Sequence, residues 1–376
     1  MFGPIRMTGS FRRQIRSKKE QMDSFFKFNK TNRQWHLPIV AGLSVGIPMI
    51  LGWYMDNIEA GKLGSLAGLS ILYIQSDKLI ERMILLMTCC FGLMLSFTVG
   101  LLFSFSPILA PIALGLFSFG VHYSLHKLKL TRPPGNFFFI MLASTAICSP
   151  FQPEHIAEKI GYVAMGTILT CGIALIYSLL TLKKSHQPES IIHRKSSYTN
   201  IVESIIFGLI MTLSLAVALS LDIEKPYWIP ISCLAVMQGS SSKHVWLRAA
   251  QRITGTLIGL GMTWLIASGN PTPLIMVISI TLLQVVVEFL VVRNYAIAVV
   301  FITILTIFLS ESGKQLTQDT NEIFFARMID IFIGSIIGMI GGWILFNAKL
   351  HDHTTQQLRK AKILMKKNNR NRVDHQ

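Results

Sequence analysis

The sequence predicts an all-α membrane protein of about twelve transmembrane helices, arranged as two parallel six-helix repeats. Three observations lead there: the composition, a series of apolar runs near membrane-spanning length, and the sorting of Lys and Arg among the segments between them. The chain has 376 residues, 51% of them hydrophobic and 14% charged, against about 25% charged in an ordinary soluble domain. Its formal net charge is +16. Such a charge suits nucleic acid in a soluble protein, but here the basic residues fall between apolar runs, so no nucleic-acid partner is expected.

Residues 1–34 form a basic arm that is expected to be cytoplasmic. It contains no signal-cleavage pattern, so the first apolar run is expected to remain as an anchor. Phe25, Phe26 and Phe28 beside Lys27, Lys30 and Arg33 suit a segment lying on anionic lipids, where each cation contributes about 1 kcal/mol; a solvated arm is the other reading. A crossing needs about 20 apolar residues at about 1.5 Å each. The first repeat, 35–182, holds spans near 37–54, 63–76, 83–104, 107–125, 136–151 and 160–182. A cytoplasmic linker, 183–199, leads to the second repeat, 200–348, with spans near 201–221, 226–238, 252–268, 272–292, 295–310 and 323–347. The basic tail 349–376 follows. Polar or Pro- and Gly-containing stretches separate the spans, as at Arg132-Pro133-Pro134-Gly135 and Gly269-Asn270-Pro271-Thr272-Pro273.

Lys and Arg resist translocation and collect on the cytoplasmic side. With both termini placed there, only Lys62, Lys159, Lys225, Lys314 and Arg327 of the 35 basic residues fall elsewhere. The opposite loops hold Asp56, Glu59, Glu154, Glu158, Asp222, Glu224, Glu311, Asp319 and Glu322. The expected location is a bacterial inner (cell) membrane, crossed many times.

The halves share spacings. Pro107 precedes His122 by the same interval as Pro273 precedes Glu288, and the fifth and eleventh spans open on Asn136-Phe137 and Asn294-Tyr295. An even number of helices per half makes the repeats parallel. Within each half a basic residue is followed two helical turns later by a small one: Arg82 and Cys89, Lys159 and Gly166, Arg252 and Gly259, Arg327 and Gly334. These pairs lie on the third and sixth helices, which enter from opposite sides, and so hint at inverted three-helix units; chance is the competing explanation.

The chain contains no nucleotide-binding loop, nucleophile elbow or metalloprotease helix. An enzyme is therefore not expected, nor a cofactor or metal. The five cysteines lie inside apolar segments without metal or redox spacing, and read as packing residues. Ionisable groups within spans carry more information, because each costs about 2.5–3.5 kcal/mol at the bilayer centre. His122, Glu288, Arg327 and Asp330 stand out. Arg327 and Asp330 share a helical face, where they can pair internally with Arg327 binding a carboxylate, or Arg327 can snorkel with Asp330 neutralising it. Glu288 shares a face with Gln284, and His122 reads first as structural. The second and eighth spans are short and interrupted, by Gly64 and Gly68 in one and by Pro226 and Pro230 in the other. Broken helices at matching positions of two halves mark a transporter's binding region. Tyr227 and Trp228 also fit interfacial belt aromatics. Gly255, Gly259, Gly334, Gly338 and Gly342 read as close-packing positions.

The stretch from Tyr227 to Gly259 runs Tyr-Trp-Ile-Pro-Ile-Ser-Cys-Leu-Ala-Val-Met-Gln, then a short basic loop, then Arg248 and Arg252-Ile-Thr-Gly-Thr-Leu-Ile-Gly. It resembles the signature of the fusaric acid resistance protein-like family, which includes aromatic acid exporters. The resemblance falls on Tyr227, Trp228, Gln238, Arg252, Gly255, Thr256 and Gly259, and the run from Arg327 through Asp330 to Gly334 is similar to that family's closing segment. It implies efflux of small organic or aromatic carboxylic acids by an ion-gradient-coupled secondary transporter, often with a periplasmic adaptor; distant plant relatives are malate channels. A passive organic-anion channel and a non-transporting scaffold binding an envelope partner are the alternatives. The candidate substrate and ion pathway comprises Tyr227, Trp228, Gln238, Arg252, Glu288, Arg327 and Asp330. The expected partners are the anion, anionic lipids at the basic termini, and an adaptor or a homo-oligomer.

Overall fold

The computed structural model describes residues 25, 28–31, 33–75, 78–181, 197–312 and 320–347. Most of the basic arm, linker residues 183–196 and the tail 349–376 lie outside the described residues. Those described form twelve α-helices, and no strand occurs among them. In chain order the helices are α1 (Leu37–Tyr54), α2 (Ile58–Gly68), α3 (Leu79–Leu102), α4 (Leu109–Lys127), α5 (Phe137–Ile147) and α6 (Ile156–Leu180). The second half holds α7 (Ser197–Ser220), α8 (Trp228–Met237), α9 (Ser242–Ala267), α10 (Pro273–Leu290), α11 (Tyr295–Glu311) and α12 (Thr320–Leu345). Each falls on one predicted span.

The twelve helices differ in length and hydropathy. Six are long and apolar enough to cross a membrane: α1, α3, α6 with the turn before it, α7, α10 and α12. Helices α2, α5 and α8 have 11, 11 and 10 residues, about 15–17 Å of helix against a hydrocarbon layer of about 30 Å. The sequence marked α2 and α8 as short, but the Phe-rich start of α5 concealed a third. Helix α2 tightens into a 3-10 turn over Leu69–Tyr73. Helix α8 starts after Pro226, and Pro230 sits in its first turn, where a missing N–H removes no internal hydrogen bond.

Side-chain exposure separates two kinds of helix. Helix α3 shows Ile80, Ile84, Met87, Phe91 and Leu95 along one outward face, the pattern of an apolar stripe turned to lipid. Helix α8 is different, for all ten of its residues are buried. Small residues let the inner helices come close. A Cβ on Gly338 of α12 would lie 2.6 Å from the Cys233 carbonyl oxygen of α8, and one on Gly166 of α6 would lie 2.7 Å from Gly64 Cα of α2. Gly259 of α9 meets Val300 and Thr303 of α11 in the same way. The small residues spaced two turns from Lys159, Arg252 and Arg327 are thus contact points, Gly334 against Ile229 and Ser232 included.

The helix pairs in contact correspond between residues 37–180 and 197–345. The third helix packs on the fifth (α3 on α5, α9 on α11), the second on the sixth (α2 on α6, α8 on α12), and the third on the sixth. The extensive contacts between the halves are reciprocal, α4 along α7 and α10 along α1. Gly115 and Gly208 allow the first approach, Gly42 and Gly46 the second.

Polar contacts between loops respect the charge sorting. On the acidic side Asn57 donates to Tyr162 Oη (2.8 Å), Lys62 donates to the Ser310 carbonyl (2.9 Å) and Lys159 pairs with Glu59 (3.3 Å). On the basic side Gln75 donates to the Pro133 carbonyl (3.0 Å), Tyr177 Oη donates to Gln34 (2.9 Å) and Asn294 donates to the Phe25 carbonyl (3.2 Å). Each of these joins two segments that the distribution of Lys and Arg places on the same side.

Candidate functional site

The buried helix α8 organises the site, because a cavity opens at each of its ends. At its N-terminal end, on the acidic side, a cleft is lined by Glu224, Lys225, Trp228, Glu311, Arg327 and Asp330, with apolar walls from Ile307 and Ala326. Its free interior is about 20 Å³, space for about one water. Any larger ligand requires α8, α11 and α12 to part.

Arg327 dominates this cleft. Only 5% exposed, it lies face-on over the Trp228 indole with Cζ 3.2 Å from the ring centroid, an arrangement that contributes about 2 kcal/mol once desolvated. One nitrogen, Nη2, donates to Thr306 Oγ1 of α11 at 3.1 Å. Nε and Nη1 are buried with no hydrogen-bond partner among the described residues, and so is Oδ1 of Asp330 one turn further on. The internal Arg327–Asp330 ion pair that their spacing allows is therefore not closed within 4 Å among the described residues. The other acids are placed differently: Lys225 is ion-paired with Glu311, and Glu224 is exposed at the mouth. What remains inside is a guanidinium with two open donors beside a separate carboxylate. Nε–H and the Nη1 donors point to different edges of the guanidinium, so an anion reaching either gains a single charge-assisted hydrogen bond there.

One further sequence candidate stands beside the middle of α8. Arg252 of α9 is buried, donates from Nη2 to Ser232 Oγ (3.1 Å) and from Nη1 to Tyr295 Oη (3.3 Å), and leaves its Nε without a partner among the described residues. Arg248, one turn away, stacks on the Tyr295 ring at 4.1 Å and donates to the Ala235 carbonyl (3.2 Å). Tyr227 caps α8 and packs against Trp228 with ring centroids 4.9 Å apart. These aromatics belong to the interior and not to an interfacial belt, with Trp228 only 9% exposed.

At the other end of α8, on the basic side, Gln238 lines a larger cavity of about 160 Å³ with His122, His126, Asn136, Glu203 and Phe207. Gln238 Nε2 donates to Asn136 Oδ1 at 2.8 Å, tying α8 to the start of α5 in the other half. Glu288 lines neither cavity. It is buried near the end of α10, where Arg33 of the arm pairs with its carboxylate at 2.9 Å and Gln284 donates to it at 3.4 Å. The structure thus gathers Tyr227, Trp228, Arg327 and Asp330 at one end of α8, Arg252 beside its middle and Gln238 at its far end, and sets Glu288 apart. Residues not singled out from the sequence complete the surroundings: Thr306, Ser310, Glu311 and Lys225 at the cleft, Ser232 and Tyr295 beside Arg252. Hydroxyls in apolar runs give no pattern in one dimension; Tyr295, directly after Asn294, was the one visible signal.

Residues 212–341, from within α7 to within α12, match the family model described as fusaric acid resistance protein-like. The matched segment is about a third of the chain. All seven sequence-derived candidates lie inside it. A curated relative is the uncharacterized membrane protein YvaC of Bacillus subtilis (strain 168), 32% identical over 146 residues, which is 39% of this chain. The chain spans 23% of that relative's length. No solved structure matches the chain. With the apolar helices described above, these similarities identify a multi-pass membrane protein.

Proposed function

We propose that the chain is a membrane transporter that moves small organic or aromatic carboxylates outward, with an ion gradient as the driving force. The observation that carries this reading is Arg327, a guanidinium at the cleft, buried on the Trp228 ring, with two donors that no described residue satisfies. A charge in such a place is costly unless something pairs with it. A carboxylate entering the cleft supplies that pair, and an aromatic ring attached to it finds Trp228 beside it. Asp330, on the same face, repels the bound anion, so the site binds without trapping. An anion leaving a compartment of negative potential gains about 2.3 kcal/mol per 100 mV; an ion carried in exchange adds to that.

The architecture belongs to the same proposal. We read the chain as two parallel six-helix repeats of inverted three-helix units, in the cell membrane of a bacterium with both termini cytoplasmic. The corresponding helix pairs, the reciprocal contacts of α4 with α7 and of α10 with α1, and the short helices at the second, fifth and eighth positions support this. Helix α8, about 15 Å long, then lies between a cleft facing outward and a cavity facing the cytoplasm, as a site at a repeat interface requires.

Transport currents evoked by benzoate in proteoliposomes test the reading. A saturable current is expected, and Arg327→Ala should lower it by more than about 30-fold, the equivalent of about 2 kcal/mol for a buried charge partner. Wild-type current in Arg327→Ala would overturn the site. Benzoate accumulation above equilibrium under an imposed pH gradient separates a coupled carrier from a passive anion channel.

A further inference from the structure

Three arginines meet α8 along one stripe. Trp228, Ser232 and Ala235 are separated by four and three residues and so share a face of this buried helix. Arg327 of α12 lies on the Trp228 ring, Arg252 of α9 donates to Ser232 Oγ (3.1 Å), and Arg248 of α9 donates to the Ala235 carbonyl (3.2 Å). At about 1.5 Å per residue the three contacts follow one another at about 6 Å and then about 4.5 Å along α8, close to one helical turn each time. The row starts in the cleft on the acidic side and ends at the last turn of α8, on the basic side.

The fold leaves these positive charges unmatched. Arg252 is 6% exposed and Arg327 is as deeply buried, yet none of the three arginines pairs with a carboxylate within 4 Å among the described residues. Their hydrogen-bond acceptors are neutral: the hydroxyls of Thr306, Ser232 and Tyr295 and the Ala235 carbonyl. Neutral acceptors ask only for N–H groups, whereas like charges in a row repel one another and are costly in an apolar interior. The middle of the row also repeats the composition of its outer end. Arg248 covers the Tyr295 ring as Arg327 covers the Trp228 ring. The Nε of Arg252, like that of Arg327, is buried with no partner among the described residues.

Packing leaves a way along this stripe. Helix α9 lies closely on α11, where a Cβ on Gly255 would come within 2.6 Å of the Ala296 carbonyl oxygen, but it touches α8 only lightly. Arginine side chains, more than close backbone contact, bridge the seam between α8 and α9.

We propose that Arg252 and Arg248 form a second station for the transported organic anion, which moves along the α8 stripe from Arg248 on the basic side, past Arg252, to Arg327 at the cleft. The inference rests on the transport reading above. A carboxylate on this route stays about one helical turn from the next guanidinium, and an aromatic ring attached to it passes from the Tyr295 face to the Trp228 face. Several stations of moderate strength favour entry and still permit exit, since each next cation competes for the bound anion.

Benzoate currents measured with the anion supplied from the basic side or from the acidic side test this. Arg252→Gln should lower the current from either side by more than about tenfold, as loss of a buried charge partner does. Arg252→Lys, which keeps the charge without the planar fork, should restore it to within about threefold of wild type. Arg248→Gln should raise the half-saturating benzoate concentration about tenfold on the basic side and change it less than about twofold on the acidic side; this partly buried position keeps the test decisive should Arg252→Gln fail to fold. Wild-type current in Arg252→Gln, equal losses in its Gln and Lys variants, or an unchanged basic-side value in Arg248→Gln overturns the second station while wild-type currents and their dependence on Arg327 persist. Absence of any wild-type current is the failure of the transport reading instead.

Discussion

Helix α6 lies against α2 as α12 lies against α8, yet the two pairs treat their cations in opposite ways. On α6, Lys159 reaches the Glu59 carboxylate (3.3 Å) and the Gln152 side chain (3.3 Å). On α12, Arg327 occupies the corresponding place two turns before a glycine and finds an indole face and one hydroxyl. The first pair is closed by its own charges, whereas the second keeps donors that no described residue satisfies. A ligand anion has something to gain only in the second, which is also the half that matches the family model.

Mutating the two cations breaks or sharpens this contrast most strongly. Arg327→Met should reduce benzoate current by more than about 30-fold. Lys159→Met should leave it within about twofold, since Glu59 is 60% exposed and such pairs are worth under about 1 kcal/mol. Equal losses at both positions would mean that the cations serve the fold alike.

The next effect concerns the helix contact behind the cleft. Gly338→Val places a side chain 2.6 Å from the Cys233 carbonyl and should cost about 1–3 kcal/mol, read as a lower unfolding midpoint in detergent. A Cβ on Gly172 of α6 would meet nothing within 4 Å, so Gly172→Ala should hold the midpoint or raise it by the equivalent of up to about 1 kcal/mol. A smaller change is expected at the ring. Trp228→Leu removes a cation–π contact worth about 0.5–2 kcal/mol and should raise the half-saturating benzoate concentration about three- to tenfold, with Trp228→Phe between it and wild type. An unchanged value in Trp228→Leu would reduce Arg327 to a point charge that needs no platform.

Much of the framework was legible in one dimension. Charge sorting and apolar runs placed twelve helices, because insertion into lipid acts on each segment separately and leaves its mark locally. The basic-to-small spacing anticipated the contacts of Gly166, Gly259 and Gly334, since two turns of helix keep both residues on one face. Other points were not legible. The length of α5 was overread because no charged residue interrupts the run from Phe137 to Phe151, and Ser144, Thr145 and Ser149 are common inside membrane helices. Glu288 looked like Asp330, an acid within an apolar helix, but Arg33 meets it from a segment 255 residues away in the chain. The cavity at Gln238 draws on α4, α5, α7, α8 and α12, and no local pattern announces five helices meeting.

The sequence by itself determined that the chain is a multi-pass membrane protein, how many helices the described residues form and which half carries the segment similar to the family. These follow from hydropathy, charge and spacing, which each segment expresses alone. Only the tertiary structure decided that Arg327 stacks on Trp228 without closing onto Asp330, that Lys159 is neutralised where Arg327 is not, and that α8 separates two cavities. Those outcomes depend on which partners packing brings within a few ångströms of a buried charge, and the partners come from distant parts of the chain.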